Sequence, residues 1–238
     1  MLSKIEYEEI IKLIKHQVVP AIGCTEPMAV ALCVAKARQI LGVLPEKIEV
    51  KLSANILKNA MGVGIPGTGM IGLPIAIALG ALIGRPEEEL EVLIDCNKKA
   101  VEKGKLYIAE NRIDIKLEEN NPDKLYINVI CHADGHEAEA IIKGAHTNFV
   151  LLRKDDKILL NNKSHDKETE NEDEVSLTLH KVYEFATTAD IEDIDFILEA
   201  KRLNEAAADN GLHENYGHQL GKTMCSPLGK GIMGISIF

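Results

Sequence analysis

The stretch Lys124–Asn148, "KLYINVICHADGHEAEAIIKGAHTN", constrains the fold of this chain more than any other. Asp134-Gly135 is a two-residue turn of the kind that joins antiparallel strands in a type I′ hairpin. Such a turn fixes register, setting Ala133 against His136 and Cys131 against Ala138. Because side chains alternate along a strand, one face then carries Ile127, Val129, Cys131, His136, Ala138, Ala140, Ile142 and His146. The other face carries His132, Glu137, Glu139 and Lys143. The first face is the core side, and the hairpin commits the chain to an antiparallel sheet with one buried face.

Helical signals surround the hairpin. Ser3 and Glu6 form a capping box ahead of Ile10, Ile11, Ile14 and Val18, which share one helical face. Thr25 can cap a second helix, with Pro27 in its first turn and Val30, Cys33, Val34, Ala37 and Leu41 as its apolar stripe. Gly42 stops it. Cys33 reads as core. Ile48–Leu52 alternates like a strand, and about Leu73–Leu82 reads as a small-residue helix. Pro86 with Glu87–Glu89 opens another helix. "VEKGKLYIAE" and "IDIKLEE" read as short strands, and "FVLLRKDDKILL" as a second hairpin. Asp190–Asp209 reads as a helix closed by Gly211. The fold class expected is therefore α+β, with helices packed on a mostly antiparallel sheet followed by a helical segment.

Residues 161–174, "NNKSHDKETENEDE", are polar and acidic and contain no aliphatic residue. They read as a linker between an α+β domain at 1–160 and a helical segment at 175–238. At 238 residues the chain suits one large domain or two small ones. The net charge of −10 excludes nucleic acid and anionic membrane as partners, because both call for a basic patch. The longest apolar run, Ile71–Gly84, is too short to cross a bilayer. With no export signal in "MLSKIEYEEI", a cytoplasmic location is expected. Aromatics are 4% of the chain and tryptophan is absent, so Ile, Leu, Val and Ala must fill the core. The five cysteines, Cys24, Cys33, Cys96, Cys131 and Cys225, include no CxxC pair, and reduced thiols are expected.

Two stretches carry chemistry. In "GCTEPMAVAL", Cys24 stands just before a helix, where the dipole and free N–H groups favour the thiolate. Glu26 could serve as a base or hold a substrate ammonium. The alternative is a small buried residue in a tight turn. In "SANILKNAMGVGIPGTG", Gly62, Gly64 and Gly67 match the dinucleotide spacing, but Pro66 interrupts it and no strand leads directly into it. The stretch reads either as a backbone nest for a carboxylate, with Asn55, Lys58, Asn59 and Thr68 as donors, or as a glycine-rich turn packed on a helix. His132 and His136 fall on opposite faces of their hairpin and cannot share a metal ion. His146 ends the core-facing strand. His213, His218 and Cys225 carry no site reading.

These two stretches, in this order and together with "IIKGAHTN" and "GLHENYGHQLGK", resemble the L-cysteine desulfidase family, iron–sulfur relatives of the alpha chain of bacterial L-serine dehydratase. The resemblance runs from Ile5 to about Lys230. It implies a [4Fe-4S] enzyme that works without pyridoxal phosphate and eliminates sulfide from L-cysteine, giving pyruvate and ammonia. It also implies that Cys24 acts near the cluster as base or additional ligand. Cys24 and Glu26 are the expected catalytic residues. Thr25, Asn55, Lys58, Asn59, Gly64, Gly67 and Thr68 are expected to bind an amino-acid substrate. The family's remaining cluster cysteines have no counterpart among the other four, so this chain alone is not expected to hold the cluster. The expected explanations are a truncated chain or a split enzyme with a separate C-terminal-half subunit; the expected partners are that subunit or a second copy of the chain in a homo-oligomer. The alternative functions are a serine dehydratase-type subunit and an inactive amino-acid-binding remnant.

Overall fold

A computed structural model describes residues 2–119, 123–162, 176–215 and 219–225. By contacts the chain divides into two units. The described residues of Pro20–Glu172 form one, and those of Met1–Val19 with Asp173–Phe238 form the other. The N-terminal helix thus groups with the residues after 173 rather than with the α+β region that follows it in sequence. Most of the expected linker, 163–174, lies outside the described residues.

The larger unit is an α+β fold. Its helices are α2 (Thr25–Leu41), α3 (Ala54–Ala60), α4 (Leu73–Ile83) and α5 (Lys98–Ala109). The main sheet has β1 (Lys47–Leu52), β4 (Ile113–Leu117), β5 (Tyr126–Ala133), β6 (His136–Lys143), β7 (Phe149–Lys154) and β8 (Lys157–Asn161), in the order β4-β1-β5-β6-β7-β8. Only β1 and β4 run parallel. A separate two-stranded ribbon joins β2 (Gly64–Ile65) to β3 (Met70–Ile71). The β5–β6 register is the one the turn dictates: Ala133 faces His136 and Cys131 faces Ala138. Asp134 (φ 54°) and Gly135 (φ 76°) both take the positive φ that a type I′ turn requires. The buried face holds Ile127, Val129, Cys131, Ala138, Ala140 and Ile142, while His136, at the end of the strand, is exposed.

Helix α2 packs on β5 and β6 and against α4, and α4 packs on α5. Burial on α2 extends well beyond one stripe, from Pro27 through Ala35 without a break. Two layers of neighbours explain why a strict amphipathic pattern is missing from it. The α2–α4 approach is close because Gly80 has no side chain. A Cβ there would lie 2.6 Å from the Ala31 carbonyl oxygen, a backbone atom with no rotamer to move. Gly80→Ala is therefore expected to destabilise the chain by about 1–3 kcal/mol despite alanine's better helix propensity. Chemical denaturation checks this, and an unchanged or higher stability would refute the close crossing.

Four readings of local structure are corrected. Cys24, not Thr25, is the N-cap of α2. The stretch expected as the strand "VEKGKLYIAE" is most of helix α5, capped by Asn97, whose side chain accepts from the Ala100 N–H. Its buried residues Ala100, Val101, Gly104 and Tyr107 recur at helical spacing, and Gly104 admits Ile75 and Leu79 of α4. The helix expected from Pro86 is a short 3-10 turn, Pro86–Glu91, broken by a positive φ at Glu89. The helix expected over Asp190–Asp209 is two, α7 (Ile191–Ile194) and α8 (Ile197–His213), and the second runs through Gly211.

The smaller unit contains α1 (Lys4–Gln17), α6 (Leu179–Thr188), α7, α8 and α9 (Leu220–Cys225). The Ser3–Glu6 capping box is formed. Tyr7 joins α1 to α7: its hydroxyl donates to Asp193 (2.9 Å) and accepts from the Asp190 N–H (3.1 Å). Among the described residues no helix is long and apolar enough to cross a membrane.

Candidate functional site

The site is built where three loops of the larger unit meet. Gly23 takes a φ of 77° and sits so close to Pro66 that a Cβ would lie 2.9 Å from the Pro66 Cγ. This contact seats the residue before Cys24 against the β2–β3 turn. The Ile22 N–H donates to the Leu90 carbonyl (3.2 Å), tying the same loop to the 3-10 turn. On the far side of the β2–β3 turn, the Cys96 sulfur lies 3.7 Å from where a Gly67 Cβ would stand.

Cys24 then opens α2 with its side chain free of any capping bond. Its thiol instead donates to Glu26 Oε2 at 2.9 Å. Thr25 Oγ1 donates to the same oxygen at 3.3 Å, and Asn59 Nδ2, from α3, donates to Oε1 at 3.0 Å. The carboxylate is thus held by three donors from two helices. These donors lower the Glu26 pKa, the Cys24 thiol most of all, against the opposing effect of burial. The Cys24 thiol moves the other way: burial raises its pKa, and the Glu26 carboxylate beside it raises it further. The expectation of a resting thiolate is corrected here. A helix N-terminus favours negative charge, but the carboxylate already occupies that place, and the proton stays on sulfur.

The nominated donors separate into those that face this pair and those that do not. Asn59 holds Glu26. Asn55 and Lys58 are exposed on α3, and their side chains make no hydrogen bond among the described residues. Gly64 begins β2 and Gly67 turns the ribbon with a φ of 76°. The Thr68 hydroxyl is engaged within that turn, donating to the Ile65 carbonyl (2.6 Å) and accepting from the Met70 N–H (3.0 Å). The glycine stretch runs from the end of α3 into a ribbon, not from a strand into a helix, so the dinucleotide arrangement is absent. Cys96 was not nominated. It lies 29 residues from Gly67 in the chain, and the fold brings the two together.

The other thiols lie apart. Cys33 and Cys131 are buried in the core, where Cys33 donates to the Ala140 carbonyl at 3.2 Å. Cys225 is exposed. Among the described residues no three His, Cys, Asp or Glu side chains converge on a metal position. These residues therefore do not fit the ligand set of a [4Fe-4S] cluster, which takes several thiolates. His132 and His136 stand apart, His132 beside Glu49 and Glu137 and His136 on Asp155 (3.0 Å). His146 is half-buried just beyond the end of β6.

The chain is 58% identical over 233 residues to a "UPF0597 protein" of Bacteroides thetaiotaomicron, a match that takes in 98% of this chain and 54% of the relative. It is 57% identical over 237 residues to one of Bacteroides fragilis, taking in 100% of this chain and 55% of the relative. With one of Aeromonas hydrophila it shares 40% over 224 residues, 93% of this chain and 51% of the relative. The chain spans about half the length of the curated relatives it matches. These names specify no reaction. No family model and no solved structure matches the chain.

Proposed function

We propose that the chain carries the proton-handling part of a lyase that eliminates sulfide from L-cysteine. The supporting observation is the thiol–carboxylate pair of Cys24 and Glu26, held by Asn59 at the start of a buried helix. In this reading, the substrate ammonium lies beside the Cys24 sulfur and stabilises its thiolate as the thiol proton passes to Glu26. The Cys24 thiolate then removes the substrate's α-proton. The electrons of the Cα–H bond form a Cα=Cβ double bond, the Cβ–S bond breaks, and hydrosulfide leaves. Glu26 returns its proton to hydrosulfide, while Cys24 keeps the one taken from carbon. The 2-aminoacrylate left behind tautomerises and hydrolyses to pyruvate and ammonia. Lys58, exposed on α3, and the Gly67 N–H of the β2–β3 turn are the groups we assign to the substrate carboxylate. The [4Fe-4S] cluster of the family that the sequence resembles has no ligand set among the described residues, and no step is routed through it.

A second reading is favoured by the same gap. The described residues offer no electrophile for the departing sulfur, which suits a module that binds an amino acid without turning it over. Serine in place of cysteine as substrate fits the same proton transfers.

The two readings part on one experiment. Anaerobically purified chain, and the full-length Bacteroides thetaiotaomicron relative, are incubated with L-cysteine and with L-serine, and sulfide, pyruvate and ammonia are measured. The elimination reading expects sulfide and pyruvate in equal amounts from L-cysteine. A rise in melting temperature with either amino acid and no product from either protein would overturn it in favour of binding.

A further inference from the structure

The described residues of the smaller unit bury little apolar surface. Among its described residues only Ile10 and Phe185 are buried apolar side chains. Helix α8, 17 residues long, buries none of its residues. Yet its sequence is amphipathic: Phe196, at its N-cap, Ala200, Leu203 and Ala207 recur at helical spacing, between charged residues such as Lys201, Arg202 and Glu205. On α6, Leu179 (86% exposed), Val182 and Tyr183 share another such face, beside the buried Phe185. Apolar stripes on two helices of one small unit are the mark of a surface made to be covered. Helices of this length owe their stability mainly to packing, which here falls short.

The relatives say what is available to cover it. They match this chain over 98–100% of its length in the two Bacteroides proteins, α6 and α8 included, and still have nearly half of their own length outside the match. We propose that the apolar faces of α6 and α8 are the docking surface for that additional polypeptide, whether it is joined to this chain or supplied as a second one. This inference is independent of the lyase reading, since it uses no residue of the site.

Hydrogen exchange on this chain and on the full-length Bacteroides thetaiotaomicron relative tests it. Amides of α6 and α8 are expected to exchange about tenfold or more slowly in the relative than in this chain. Cross-links from the Lys201 position of the relative are expected to reach its additional segment. Leu203→Asp is expected to leave the melting of this chain unchanged, because Leu203 is not buried here. At the aligned position of the relative, an aspartate is expected to speed exchange in both helices. Equal exchange in the two proteins, or cross-links that avoid the additional segment, would overturn the proposal. So would light scattering that shows this chain as a dimer returned to monomer by Leu203→Asp, since a second copy would then be the occupant.

Discussion

Serine in place of Cys24 is expected to remove sulfide release almost entirely, by about 10²–10⁴-fold, the range for loss of a positioned acid–base group. A serine hydroxyl fits the same N-cap and can donate the same hydrogen bond to Glu26, so the melting temperature should stay close to that of the parent. Glu26→Gln separates the chemistry further. Burial is the first cause that raises the Cys24 thiol, and the carboxylate is the second. Glutamine removes the second and keeps the first. The thiol then ionises more readily, yet the acceptor for its proton is gone. Labelling of Cys24 by iodoacetamide at about pH 8 is expected to become several-fold faster, while sulfide release falls. Opposite responses identify Glu26 as the proton acceptor of a thiol base. If labelling and turnover both stay at the parent level, the hydrogen bond merely holds the loop.

Where the chain's own neighbours in sequence decide the structure, the sequence could be read. The Ser3–Glu6 box, the stop at Gly42 and the Asp134-Gly135 turn each depend on a handful of adjacent residues, and each stands as expected. Helix α5 shows the opposite case. Its Lys, Glu, Ala and Leu residues are good helix formers, but the central glycine and the Val-Tyr-Ile residues blur the signal. Gly104 makes sense only against Ile75 and Leu79, residues that the fold brings to it. The parallel pairing of β4 with β1 is equally invisible locally, because it needs α3, α4 and α5 to carry the chain between them.

The site divides along the same line. Cys24 and Glu26 stand two residues apart, so a thiol beside a carboxylate could be foreseen. The sign of its effect could not be. It depends on Glu26 turning back onto the thiol and on Asn59 fixing it there, 33 residues away. Asn59 was nominated as a donor to substrate, and its partner proves to be the protein's own carboxylate. Thr68 is similar: its hydroxyl closes its own turn. Polar residues beside glycines can be recognised in a sequence, but which of them the backbone engages first depends on turn geometry.

The chain is expected to lose stability steeply in alkali, and the cause lies in the core rather than the site. Burial pushes the Cys131 thiol up to about 12 and Cys33 well above its ordinary value of 9. Both sulfurs lie between α2 and the sheet, and the charge of either would raise the other. A group whose folded pKa exceeds its unfolded one stabilises the fold fully below the unfolded value and loses that contribution as pH rises through the folded value. Below about pH 9 both thiols are protonated in either state and contribute no pH dependence. Above about pH 9 the unfolded chain releases these protons, while the folded chain holds the Cys131 proton until pH approaches about 12 and the Cys33 proton well above 9. Each thiol then costs about tenfold in the folding equilibrium per pH unit. Tyr107, also raised to about 12, joins above its ordinary value of 10, so the window from about pH 9 to 10 reports chiefly the thiols. Urea denaturation across that window is expected to show unfolding favoured by about one proton per molecule at pH 9, rising toward two at pH 10, with smaller additions from Cys24 and Cys96, which are raised less. Cys131→Ala is expected to lower the baseline stability by leaving a small void, and to remove about one proton from the slope. The slope is the decisive quantity, because a packing defect alone shifts stability equally at every pH. A slope unchanged by Cys131→Ala would mean that the core admits the thiolate, and the close packing of α2 on β5 would have to be looser than the structure shows.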